Sequence, residues 1–367
     1  MGQCTSCTEE DQEIQIEESQ NASKDQYWKT PVNKLTKKFI PDDKKTEEAL
    51  GDVEEQINPK RVQLAFSKKI TEKYHKRKTV ASIDDWIPSQ KEEPESFQEY
   101  AESDYNKVST ESHTVYIQPL DTSMTKEFLS TCQKYCLAYF YPLPVVISKF
   151  RDITKSKIRN RKCLQGFVQY HSGDIMKRAK KWIPDDAYCM ICILNMDLYP
   201  QDSWNFVYGQ AYLWERTGVF SFARYNPEFY GEDHGMSGEE LRELVMFRSI
   251  GTMVHEIGHM FGMGHCVYYE CAMNGSMSAE EADKQPMQLC PICLRKLWHN
   301  IGFDPLERYQ ALVEASRVSS SFDETKGWYS KIVRHLKKIY AKEVLEEPFT
   351  KDYENNINET STVKKQS

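Results

Sequence analysis

Residues 255–265 read His-Glu-Ile-Gly-His-Met-Phe-Gly-Met-Gly-His, and the rest of the chain is best read outward from them. On a helix, His255 and His259 stand four residues apart, so both rings leave one face and can share a metal ion. Glu256 sits one position further round, close enough to reach a metal-held water without being a ligand. Gly262 can stop the helix and turn the chain back, because glycine adopts positive φ at little cost. That turn brings His265 in as a third ligand. Three protein ligands leave one tetrahedral position open, which marks a catalytic zinc rather than a structural one. A bare H-E-x-x-H is often ordinary helix, but the added glycine and third histidine at fixed spacing make coincidence rare.

The segment that follows carries a second metal signature. Cys266 and Cys271, then Cys290 and Cys293, form C-x4-C followed by C-x2-C. Four thiolates in two close pairs suit a closed tetrahedral zinc, so the expected cofactor content is two zinc ions per chain. The Cys-Pro-Ile-Cys pair alone also fits a redox motif; the second pair nearby favours metal. Because Cys266 directly follows His265, a metal there would brace the loop that presents the third imidazole. Met273 is either a core methionine or a floor beneath the catalytic metal.

These residues resemble the archaemetzincins, also called archaelysins. The likeness rests on His255–His265, on Cys266, Cys271, Met273, Cys290 and Cys293, and on upstream stretches. Those are Ser82–Pro88, Val115–Pro119, Asp197–Pro200 and Phe220–Tyr225. It runs from about residue 80 to about 310. The resemblance implies an α/β (α+β) metzincin-like domain with a mixed sheet, a long active-site helix and a Cys4 zinc segment. It also implies a catalytic zinc on His255, His259 and His265, Glu256 as general base, and Met273 as the methionine of the turn under the metal. Some metzincins place a tyrosine two residues after that methionine; here Gly275 stands there, so no tyrosine is assigned to the reaction.

Composition bounds the remaining possibilities. The chain has 367 residues, 40% hydrophobic and 28% charged, with a net charge of −7. That supports a sizeable core with polar extensions and argues against general nucleic-acid binding. No N-terminal apolar segment reads as a signal peptide, and the longest apolar run, residues 135–147, is broken by Pro142 and Pro144. The expected setting is therefore cytoplasmic, with the eleven cysteines serving as thiols and metal ligands rather than disulfides. A monomer acting on peptides or proteins is the expected form.

The expected organisation follows composition shifts. Residues 1–23 are a disordered acidic tail and 24–112 an N-terminal extension, whose basic run 73–78 reads as a solvated face. Residues 113–303 form the catalytic domain, 304–345 C-terminal helices, and 346–367 a disordered tail. Within the domain, 114–119 and 145–150 read as strands around a helix near 128–140, and 188–194 as a buried central strand. Residues 219–225 alternate like a strand with one exposed side, whose edge could hold an extended peptide. Residues 239–262 are the ligand-bearing helix, and Asp304-Pro-Leu-Glu307 a boxed helix start. The basic stretch 151–181, ten Lys or Arg against two Asp, reads as solvated surface.

The mechanism expected is metal-assisted peptide hydrolysis. The alternative is a zinc-stabilised interaction protein with a weak or vestigial peptidase site; Glu256 speaks against it, since a structural zinc needs no unliganded carboxylate beside an open position. Finally, Met1-Gly2-Gln-Cys-Thr-Ser6 fits the N-myristoylation pattern at Gly2, with Cys4 and Cys7 placed for palmitoylation. One acyl chain binds bilayers only marginally, and the acids that follow oppose an anionic leaflet. Attachment would therefore be reversible and depend on Cys4 or Cys7. An ordinary tail with incidental cysteines is the other reading.

Overall fold

A computed structural model describes residues 32–57, 60–163, 166–212, 215–231 and 235–343. Its centre is a five-stranded sheet in the order β2-β1-β5-β8-β7, where β1 is Thr114–Pro119, β2 Val145–Ile147, β5 Ala187–Leu194, β7 Gly209–Tyr212 and β8 Thr217–Ser221. β2, β1, β5 and β8 run parallel, and β7 closes one edge antiparallel to β8. A smaller sheet, order β3-β4-β6, joins Asn160–Lys162, Val168–His171 and Asp197–Tyr199.

The middle strand explains the layering. Every residue of β5 is buried. Cys189, Ile191 and Ile193 point into one apolar cluster, whereas Met190, Cys192 and Leu194 point into another. Period-two alternation with apolar residues on both faces requires cover on both sides, as parallel strands generally do. The first cluster is capped by helices Lys126–Tyr139 and Gly238–Met260; the second by helix Ser172–Ala179, through Ile175, Met176 and Ala179. The result is the mixed-sheet α/β architecture expected from the sequence.

Several local expectations shift. The strand expected at 219–225 is Thr217–Ser221, with all five residues buried, and 223–225 form a short 3-10 turn. Its alternation did not mark an exposed side, because β7 covers its outer edge and helices cover both faces. The edge strand beside the cleft is therefore β7, not residues 220–225. Asp304 does cap helix Pro305–Ala315, accepting from Glu307 N at 2.9 Å. The Glu307 carboxylate instead accepts from Tyr141 Oη at 2.7 Å, so only half of the expected box forms.

The described residues of 32–102 carry seven short helices, and their apolar side chains (Leu35, Val62, Ile70 and Ile87 among them) join the same core as the sheet and active-site helix. The basic run 73–78 is not simply a solvated face. Arg77 bridges antiparallel to Tyr269, Lys78 N donates to Tyr268 O at 3.1 Å, and Glu270 N to Lys76 O at 2.9 Å, which ties the run to the cysteine loop. At the other end, helix Asp323–Glu343 packs Tyr329, Ile332 and Leu336 into this core. Among the described residues, no helix is long and apolar enough to cross a membrane. Gly2, Cys4 and Cys7, and the tails 1–23 and 346–367, lie outside the described residues.

Candidate active site

The ligand-bearing helix, Gly238–Met260, begins with a full capping box. Ser237 accepts from Glu240 N, and the Glu240 carboxylate accepts from Ser237 N at 2.7 Å. Its inner face buries Ile250, Met253, Val254, Ile257 and Met260. It ends as the sequence suggested. Gly262 takes φ +81°, its N–H donates to His259 O at 2.8 Å, and Met263 N donates back to Gly258 O at 3.3 Å. That pair of bonds is a Schellman motif, and it redirects the chain so that His265 returns to the helix.

His255, His259 and His265 meet there, each offering one ring nitrogen within 4.8 Å of the others. The outward nitrogens of the two helical imidazoles are engaged: His255 Nδ1 lies 2.8 Å from Ala272 O, and His259 Nδ1 2.8 Å from Met263 O. A carbonyl only accepts, so both Nδ1 atoms carry hydrogen and both Nε2 atoms present lone pairs. Those Nε2 atoms face each other at 3.0 Å. Two lone pairs so placed repel unless a cation lies between them, so the donor set fits a metal ion. Burial, then the charge of His265, hold His255 down to about 4. Burial and both neighbouring imidazoles hold His259 well below its ordinary value. Neutral imidazole is the ligating form.

Two glycines make room for this geometry. A Cβ on Gly258 would lie 2.4 Å from Met273 Sδ, so the methionine sulfur occupies the space beside the helix between His255 and His259. Met273 is buried against this turn of the helix. Glu256 is 6% exposed and points across to the edge strand, where a Cβ on Gly209 would lie 2.4 Å from its Oε1. Burial pushes the Glu256 carboxyl up to about 8.

Next to the triad, the sulfurs of Cys266, Cys271, Cys290 and Cys293 lie within 4.8 Å of one another, all buried. None of the nine described cysteines forms a disulfide. Backbone N–H groups aim at the sulfurs: Met273 N and Cys290 N at Cys271 Sγ (3.4 and 3.2 Å), and Cys293 N at Cys290 Sγ (3.4 Å). Cys290 is also the N-cap of helix Pro291–Ile301, whose dipole favours a thiolate. Buried sulfurs gathered in this way fit a tetrahedral thiolate metal site.

Sequence reasoning missed three contributors. Asn274 staples the loop between the two clusters, donating to Cys266 O (2.6 Å) and Tyr269 O (3.0 Å) and accepting from Cys271 N (2.9 Å). Glu92 places Oε2 3.2 Å from His265 Nδ1, and Trp86 sets its indole edge-on to that ring, with centroids 4.8 Å apart. The Glu92 carboxyl is held below its ordinary value: burial works to raise it, but the His265 and Trp86 contacts outweigh that. Trp86 fell within the stretch that carried the family likeness, but no spacing rule joins it or Glu92 to a histidine some 170 residues later.

The triad opens onto a cleft of about 1110 Å³, bounded by β7 and its approach (Trp204, Phe206, Tyr208), by Trp86, and by Pro286 and Met287. Paired imidazole lone pairs beside a buried carboxylate, facing a cleft bordered by the edge strand of the sheet, define a zinc-dependent metallopeptidase. The sequence comparisons agree. The sequence model of peptidase family M54 matches residues 172–299. Archaemetzincin-2 of Macaca fascicularis is 40% identical over 262 residues, covering 64% of this chain and 72% of its own length. Archaemetzincin-2 of Homo sapiens is 39% identical over 268 residues with the same coverage. The crystal structure of archaemetzincin from Archaeoglobus fulgidus, complexed with malonate, aligns at 26% identity with a TM-score of 0.39, covering 50% of this chain and 99% of that one. The chain belongs to the archaemetzincins, peptidase family M54, and is a zinc metallopeptidase.

Proposed function

We propose that His255, His259 and His265 hold the catalytic zinc, that Glu256 is the general base, and that Cys266, Cys271, Cys290 and Cys293 hold a second, structural zinc. The observation that carries the reading is the pair of Nε2 lone pairs facing each other at 3.0 Å beside the buried Glu256 carboxylate. Bound there, zinc would supply Lewis acidity toward a water and a peptide carbonyl, and its positive charge would favour the ionised form of the Glu256 carboxyl. The chain's own groups supply the rest. β7, the edge strand of its sheet, borders the cleft, where an extended peptide lies along it and seats its scissile bond over the imidazoles. Glu256 receives a proton from the attacking water at its carboxylate and delivers it to the departing amine. Gly209 keeps space open so that this carboxylate can face the cleft. The cleft walls limit bulk water around the reacting bond. In the cell, we place the protein in the cytoplasm, with reversible membrane attachment when Cys4 or Cys7 is acylated as well as Gly2.

The test is digestion of a peptide library by wild type and Glu256→Ala, with elemental analysis of both. The variant should keep its metal and its fold and lose cleavage by at least about a hundredfold. Undiminished turnover would remove Glu256 from the mechanism.

A further inference from the structure

The third imidazole stands on a loop beyond the helix, and its support comes from a distant part of the chain. Residues 86–95 form a strap across His265. Glu92, with its side chain 5% exposed, is the strap's contact: Oε2 lies 3.2 Å from His265 Nδ1 and also accepts from Trp86 Nε1. Trp86 in turn holds the ring edge-on. The strap is pinned at both ends. Trp86 N donates to the Glu281 carboxylate at 3.1 and 3.2 Å, and Lys296, buried on the cysteine helix, donates to Glu95 O at 2.8 Å. Gly264 N, one residue before the imidazole, donates to Glu95 Oε2 at 3.4 Å. Space for the indole exists because residue 275 is glycine; a Cβ there would lie 2.3 Å from Trp86 Cδ1.

We infer that Glu92 is a positioning residue for the peptidase centre, holding the hydrogen of His265 on Nδ1 and the ring in one orientation. His255 and His259 receive the same service from the carbonyls of Ala272 and Met263, whereas His265 receives it from a carboxylate. A carboxylate acceptor raises the basicity of the opposite nitrogen more than a carbonyl does, and so compensates for a ligand carried on a loop. Trp86 and Glu95 hold Glu92 at its station. The inference rests on the reading of His265 as a metal-holding residue.

The experiment uses the full-length chain as wild type, Glu92→Ala, Glu92→Gln and His265→Ala. Metal affinity of the more weakly held site is read by competition with a chromophoric zinc chelator, and ligand geometry by the visible spectrum after cobalt substitution. Glu92→Ala should weaken binding about 10- to 100-fold and shift the cobalt bands. Glu92→Gln keeps an acceptor oxygen without its charge, so it should recover part of the loss and remain weakened about three- to tenfold. Wild-type affinity and unshifted bands in Glu92→Gln, and in Glu92→Ala where it folds, would overturn the positioning role while His265→Ala still loses the metal. If His265→Ala itself binds as tightly as wild type, the ligand reading beneath the inference fails instead.

Discussion

Gly209→Ala tests how closely the edge strand and the carboxylate are fitted. The glycine lies on β7, and the methyl added there would stand 2.4 Å from Glu256 Oε1, 2.7 Å from Cδ and 2.8 Å from Cγ. Ordinary contact begins near 3.4 Å, so the carboxylate or the strand must yield by about 1 Å. A displacement of that size in a reacting group costs about a hundredfold in rate, or about 2.7 kcal/mol in the barrier. The cost in stability should be smaller, near the low end of the roughly 1–3 kcal/mol of an overpacked site, because β7 is the terminal strand of its sheet. Metal content should not change, since the atoms nearest the added methyl are all of Glu256, while His255 and His259 are held through Nδ1 by the carbonyls of Ala272 and Met263. The assay is steady-state cleavage of a peptide found in the library digest, with zinc stoichiometry and thermal unfolding on the same preparations. A turnover number within about threefold of wild type would refute the claim that Gly209 keeps the carboxylate's space open. Loss of zinc would show instead that the change acts through the ligands.

Two further outcomes follow from the metal and acylation assignments. Cys290→Ser should lower the zinc content from about two ions per chain to about one and reduce the melting temperature, because a thiolate site contributes directly to folding. It should also slow cleavage, because Cys266 adjoins His265 and Asn274 ties that loop to Cys271. A ratio near one in the wild type, measured by elemental analysis, would contradict the two-ion assignment. In cells, Gly2→Ala should abolish myristate labelling and, like serine at both Cys4 and Cys7, release the protein from the membrane fraction. A wild type that takes up no label and stays in the soluble fraction would dispose of the anchor.

Much of the centre was legible because its pieces are local in sequence. His255, Glu256 and His259 share one helix, where the 3.6-residue period alone sets their directions. Gly262 and His265 follow within two turns' length, and positive φ at a glycine is a backbone property that spacing can announce. The cysteine pairs are likewise short-range units, and β5 was readable because strands buried on both faces are continuously apolar. What the sequence could not order was contact between distant segments. Whether residues 219–225 or β7 formed the edge strand depended on which strand paired outside β8, a choice no local pattern records. Glu92 and Trp86 look like ordinary surface chemistry until the chain folds them over His265. The role of Gly209 exists only because Glu256, 47 positions later, lies against it. Side-chain direction within one helix is fixed by the peptide geometry of a few residues. Which strand, strap or glycine meets that helix is fixed by the packing of the whole core, and that packing assigned the imidazole its carboxylate and the carboxylate its space.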